Sequence, residues 1–205
     1  DGGGLSILTG AHPVLLDFTG KTLRVAIADA TLSIADFIYI RGGIAFERQD
    51  ATEVTLADGT TKEADILTIG ASNLYVFAGI GGPYWVDSNN DGVVNGDDTP
   101  DATNAIGVAI GGVDLGLAII KPTALTDTSK YLALKITAAS ATLVGLPSLL
   151  TLEARGIEIA VNRVQSDDPD AAVIDFSKFA EGGLSVLTGN DPVVIDYQDS
   201  LLRVG

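Results

Sequence analysis

The chain has 205 residues, a formal net charge of −15 and neither Cys nor Met. Lack of Cys removes disulfides, thiolate nucleophiles and thiolate metal sites together. The acidic balance argues against nucleic acid, whose phosphates need cationic partners, and no apolar run is long enough for a membrane-spanning helix.

The sequence opens at Asp1, with no charged-plus-apolar leader, so a processed chain or an excerpt of something longer is expected. Its first notable segment is Gly3-Gly4-Leu5-Ser6-Ile7-Leu8-Thr9-Gly10, because it returns as Gly182-Gly183-Leu184-Ser185-Val186-Leu187-Thr188-Gly189. The likeness continues through Pro13-Val14 and Pro192-Val193, Asp17 and Asp196, and Leu23-Arg24-Val25 and Leu202-Arg203-Val204. At a constant offset of 179 residues, 13 of the 24 positions from Gly3 to Ala26 are identical. A fixed period without insertions is the mark of a repeat architecture. Residues 1–179 read as one full unit and 180–205 as the start of the next, equivalent to 1–26.

From Leu23 onward the apolar residues alternate in short bursts, as in Leu23/Val25/Ile27, Ile66–Ile69, Leu74–Phe77, Leu115–Ile120, Tyr131–Ile136, Ile157–Val161 and Val173–Phe176. Their length, their β-branched content and the Gly, Asp and Asn between them indicate strands; residues 28–36 and 137–146 are the least defined. An all-β fold is expected. Short bursts with Gly and Ala at their ends favour an elongated β-solenoid-like repeat, whose coils bury one another. A β-sandwich repeat is the alternative. Nine coils stacked about 4.8 Å apart would advance roughly 40 Å per unit. The pair Asp58-Gly59, between Val54–Ala57 and Thr60–Glu63, predicts a tight hairpin projecting into solvent as a finger. A weaker echo links Ala28–Leu32, followed by Arg41-Gly42, to Ala139–Leu143, followed by Arg155-Gly156.

The sharpest chemical signal is Asp87-Ser88-Asn89-Asn90-Asp91-Gly92-Val93-Val94-Asn95-Gly96-Asp97-Asp98. Hard oxygen ligands fall at positions 1, 3, 5, 9 and 12 of a twelve-residue calcium loop, with Gly at position 6. Asp87, Asn89 and Asp91 would offer side-chain oxygens from one tight turn, Val93 its carbonyl, Asn95 a direct or water-borne contact, and Asp98 the closing carboxylate, with Asp97 in its place or Asp101 contributing as alternatives. A structural Ca2+ is the expected cofactor, inserted once per unit. The loop is similar to those of dockerin modules, which also place Asp where EF-hands have Glu. The likeness covers these twelve residues alone, without a second loop or flanking helices, and does not imply cohesin binding.

Other residues carry bland readings. His12, the only histidine, sits before Pro13 in a Gly-rich turn, which leaves no multi-histidine metal site. No nucleophile elbow or phosphate loop occurs. Tyr84-Trp85 reads as packing at the base of the calcium loop, with a sugar-stacking patch as the sharper alternative. Asp167-Asp168-Pro169-Asp170 reads as a solvated turn, with a second cation site, or one bridging neighbouring subunits, as the sharper alternative.

In repeat style, acidity, lack of Cys and Met, and the 87–98 loop, the chain resembles the long calcium-dependent repeat proteins of bacterial cell surfaces. That resemblance implies a non-enzymatic, extracellular structural protein: a fibre, surface layer or adhesin stalk rigidified by calcium. Its partner would be itself, the next repeat or subunit along an array. A carbohydrate- or cell-binding adhesin module, with a cell-surface glycan as partner, is the second reading. A β-helical polysaccharide-acting enzyme is the third.

Overall fold

The computed structural model describes residues 22–146 and 152–205, together with the backbone of 5–7 and 14–16. The strands are β1 Leu5–Ile7, β2 Val14–Leu16, β3 Thr22–Ile34, β4 Ile38–Thr55, β5 Thr61–Ile80, β6 Ile106–Pro122, β7 Lys130–Val144, β8 Glu153–Gln165, β9 Leu184–Val186, β10 Val193–Ile195 and β11 Leu201–Val204. The fold is all-β. Seven strands form one antiparallel sheet in the order β11-β8-β7-β6-β5-β4-β3, and β1-β2 and β9-β10 form separate hairpins.

Each strand from β3 to β8 pairs antiparallel with its neighbour in sequence. The described residues therefore form a broad meander, neither solenoid coils nor two matched sheets. The short bursts suggested coils because the long strands β3 to β6 are interrupted midway, and the interruption is a bulge instead of a turn. Gly42 (φ +142°), Asn73 (+51°) and Gly112 (+63°) mark these interruptions on β4, β5 and β6. Pairing skips there, between Arg41 and Gly43 on β4 and between Ala71 and Leu74 on β5. An unpaired residue of this kind bends its strand and re-aims the side chains beyond it. A row of them divides the sheet into two halves.

Among the described residues, one face of the sheet is covered and the other is not. On the covered face Ala64, Ala118, Ala133 and Ala160 are completely buried, whereas Leu67, Ile69, Ile119 and Leu132 on the opposite face keep 36–40% of their surface exposed. The smaller residues are buried because a second layer lies directly on them. Over one half that layer is the β9–β10 hairpin with its flanks, where Leu184, Val186, Ile195 and Tyr197 pack with Ile66, Ile120, Tyr131 and Phe176. Over the other half it is the β5–β6 connection, whose Tyr84 and Trp85 pack on a cluster of Phe77, Ala105, Ala109 and Val144.

The hairpin sits close because its floor has no side chain at the point of contact. A Cβ on Gly70 would lie 1.9 Å from the Leu187 carbonyl oxygen, and one on Gly116 would lie 2.9 Å from Val193 Cγ1. Asn162, fully buried, donates to the Ile174 and Asp199 carbonyls at 2.9 and 3.0 Å and ties the segments flanking the hairpin to β8.

The Asp58-Gly59 turn forms, with Gly59 at φ +85° and the Asp58 carboxylate accepting from the Thr60 amide at 2.9 Å. It is no free finger. Val54 and Leu56 are buried, and Leu56 bridges to Ile174. Val173–Phe176, expected as a strand, contributes this single bridge and then enters a 3-10 turn at Phe176–Lys178.

The two copies of the repeated segment have the same hairpin register. Leu5 pairs with Leu16 and Ile7 with Val14 in the first copy; Leu184 pairs with Ile195 and Val186 with Val193 in the second. The next few residues of each copy enter the large sheet at opposite edges. Thr22–Val25 begins β3, and its equivalent, Leu201–Val204, is β11. His12, Pro13, Asp17 and Leu149–Thr151 lie outside the described residues.

Candidate functional site

The β5–β6 connection runs from Gly81 to Ala105 and carries the expected calcium loop. Its base is aromatic. Tyr84 stacks on Phe77 with centroids 5.7 Å apart, and Phe77 on Tyr39 at 6.3 Å. Trp85 meets Tyr75 and Tyr84 edge-on at 4.9 and 4.8 Å, and its Nε1–H donates to the Val76 carbonyl at 3.0 Å. Trp85 therefore packs the connection onto the sheet, and Val94, 1% exposed, anchors its far end.

The loop is folded by carboxylates and side-chain amides that accept from its own backbone, the turn chemistry Asp and Asn supply. Asp87 accepts from the amides of Asp91 (3.1 Å) and Gly92 (2.9 Å). Asn89 Oδ1 accepts from the same Asp91 amide at 2.9 Å, and Asn89 Nδ2 donates to Asp91 Oδ2 at 3.1 Å. Asp91 Oδ1 accepts from the Val93 amide at 2.8 Å. Gly92 takes φ +92°, the left-handed region expected of it. Asp87 and Asn89 thus share the Asp91 amide, and the Asp91 carboxylate is tied to the Asn89 side chain.

Asp98 faces inward. Its Oδ1 accepts from the Ser88 amide at 2.8 Å and hydroxyl at 3.2 Å, and its Oδ2 from the Asn95 amide at 2.9 Å. These bonds, the one from Asn95 foremost, hold its pKa below the ordinary 3.8 against the opposing pull of burial. Asn95 Oδ1 accepts from the Asp97 amide at 2.7 Å, and the Val93 side chain is 43% exposed. Beneath the loop, burial raises the Tyr75 pKa, with the nearby Asp98 and Asp97 carboxylates adding to it.

The six expected ligand residues therefore do not act alike. Asp87, Asn89 and Asp91 converge, while Asp98 and Asn95 brace the loop backbone. Their donors are all oxygen, the ligand type calcium takes. No cluster of three or more His, Asp or Glu able to hold a metal occurs among the described residues.

Sequence reading missed Arg41. Its guanidinium donates to the Gly92 carbonyl at 2.8 Å and pairs with Asp29 at 3.2 Å, tying the loop tip to β3 and β4. The one available signal was its place beside Gly42 in the internal echo. The structure also brings the loop beside the terminal hairpin. Between them opens a cleft of about 650 Å3, lined by Val93 and Val94 from the loop, Asn190–Val193 from the hairpin, and Gly43, Ser72, Asn73 and Asp114 from the sheet. A second cleft, of about 390 Å3, lies among Tyr39, Tyr75, Pro83 and Trp85. Asp167–Asp170 forms a turn in which Asp168 accepts from the Asp170 amide at 3.0 Å. No protein-family model, curated protein or solved structure matches the chain.

Proposed function

We propose that this chain is a repeat unit of an extracellular structural array, with a mechanical and not a catalytic role, in which the 87–98 loop binds calcium. One observation carries the reading: at opposite edges of the large sheet, the first four residues of β3 and the four of β11 are equivalent positions of the repeated segment, with Leu-Arg-Val identical in both. A sheet so arranged continues when one unit follows another. Each unit, β3 to β8, adds six strands, about 29 Å along the growth direction at the usual strand spacing. The elongation expected of a solenoid would then come from lateral growth of a sheet, with a shorter advance per unit. The resemblance to cell-surface repeat proteins supports a fibre, surface layer or adhesin stalk. Small-angle scattering on chains of one, two and three units tests it. A rod lengthening by about 29 Å per unit is expected; units tumbling as independent beads would overturn it.

The donor types of the loop, and the gathering of Asp87, Asn89 and Asp91, support calcium. Excess calcium at about a hundredfold over Kd should raise Tm by roughly 5–10 °C, with a change in Trp85 fluorescence. Asp87→Ala and Asp91→Ala should remove the response. Identical melting curves with calcium and with chelator would overturn this part.

The cleft at Tyr39, Tyr75 and Trp85 favours the second reading, a glycan-binding adhesin, since aromatic walls suit sugar rings. Saturable quenching of Trp85 by a glycan panel would support it, and a flat titration would dismiss it.

A further inference from the structure

The seat of the terminal segment has a second natural occupant. Residues 182–205 lie on the sheet in two parts. The hairpin rests on the glycine floor at Gly70 and Gly116, and β11 lines the outer edge of β8, pairing Leu201 with Asn162 and Val204 with Ile159. Gly205 and Glu158 then exchange both backbone bonds at 2.9 Å. The residues that fit this seat are retained or conservatively replaced in the first copy, with Ile7 for the buried Val186. Leu5, Leu8, Thr9, Gly10 and Val14 are identical to Leu184, Leu187, Thr188, Gly189 and Val193. Leu16 stands for the buried Ile195, and Phe18 for Tyr197.

We propose that residues 3–26 of one chain dock on a second copy of this chain, in the seat that 182–205 fill here, when that segment is displaced. The inference rests on the array reading and supplies its joint. Thr22 would pair with Asn162 of the other copy, Leu23 with Val161, Arg24 with Ala160 and Val25 with Ile159. The sheet then runs unbroken from one copy to the next. Beyond Ala26, β3 meets Glu153–Ile157 of β8, an edge that pairs with no strand on that side among the described residues.

The charges at the joint agree. Arg24 bonds Glu47 of its own chain at 3.0 Å, and its equivalent, Arg203, bonds Glu158. In the docked pair one guanidinium stands between Glu47 of its own copy and Glu158 of the other. The apolar outer face also continues across the joint, since Leu202 and Val204, 61% and 74% exposed, stand for Leu23 and Val25. An exposed strand edge taking a strand from another chain is an established mode of assembly.

The test uses the full chain. Ile195→Asp should expel the terminal hairpin and open the seat, so that light scattering, expected to give the single-chain mass of 21.0 kDa for the parent, finds species of twice that mass or more. Adding Leu16→Asp should return it to monomer, while Leu16→Asp alone leaves the mass of the parent unchanged. Folded, monomeric Ile195→Asp chains would overturn the proposal, as would oligomers indifferent to Leu16→Asp. If Ile195→Asp does not fold, a parent chain cleaved at a protease site placed between Phe179 and Gly183 is denatured and refolded with a tenfold excess of a peptide of residues 3–26. Mass spectrometry should find the peptide retained in the seat, and a Leu16→Asp peptide not retained. Recovery of only the 182–205 fragment would overturn the docking. A rod of tandem units with no peptide retained would leave the array reading standing without this joint; retention without a rod would do the reverse.

Discussion

Two covers lie on one face of the sheet, and they are held by different physics. The β9–β10 hairpin is held by apolar burial: Val186 and Ile195 are completely buried, and the floor beneath is stripped to glycine at the closest approaches. The Gly81–Ala105 connection is held at its base by aromatic packing, but its outer turns are closed by carboxylates and side-chain amides accepting from backbone amides. The first cover can be removed by changing volume. The second can be removed by changing charge, and a cation would strengthen it.

The largest effect should follow from emptying the hairpin's core. Ile195→Ala removes a fully buried side chain and should lower stability by about 2–5 kcal/mol. Hydrogen exchange would show whether the covers are separable: amides of β9 and β10 should lose protection first while those of Gly81–Ala105 keep theirs. Simultaneous loss in both would mean that the covers form one cooperative unit. Gly70→Ala comes next. Its new Cβ would stand 1.9 Å from the Leu187 carbonyl, and the hairpin must lift, at about 1–3 kcal/mol for an overpacked contact. An unchanged melting curve would show that the hairpin does not rest where Gly70 places it.

The covers should also fail at opposite ends of the pH scale. Burial, then the Glu158 and Asp196 carboxylates, push the Tyr197 phenol beside the hairpin up to about 12 from its ordinary 10. A raised folded pKa means that this stabilisation is complete below pH 10 and is lost as pH rises towards 12. Asp98 has the reverse sign. Its folded pKa is depressed, so its contribution is present above 3.8 and fades as pH falls through the lower folded value. Trp85, the only tryptophan, lies in the loop cover. Its fluorescence should change in acid, while tyrosinate absorbance follows the alkaline loss. A Trp85 signal flat to below pH 3.8 would break the assignment.

The sequence made the all-β class legible through its apolar alternation, and the repeated segment stood out by identity alone. The positive φ at Gly92 and the packing of Trp85 were also readable, because local turn chemistry and a lone aromatic pair carry those signals. Which sheet face is buried was not readable. In β3, Leu23, Val25 and Ile27 look like the inward set, yet they are 37–58% exposed. On the covered face of β5 and β6, large buried residues such as Ile66 and Ile120 alternate along the strand with Gly70 and Gly116, which hold the points where the hairpin lies closest and leaves no room for a side chain. Size alone therefore does not mark the buried face. The role of Asp98 was obscured for a related reason. A loop template assigns a carboxylate outward to a ligand, but the amides of Ser88 and Asn95 occupy it from inside.

The smallest effect should come from Arg41, which joins the loop cover to the sheet without burying apolar surface. Its bond to the Gly92 carbonyl and its partly exposed pair with Asp29 are together worth about 1 kcal/mol. Arg41→Gln should therefore barely shift Tm, yet it should free the loop tip. The change should be visible as faster exchange at Gly92 and Val93 and as a weaker response to calcium, because a freer tip has more conformational entropy to lose when a cation fixes it. Hairpin amides should not change. If they loosen as well, the cleft between Val93 and Asn190 couples the two covers, and they act as one layer instead of two.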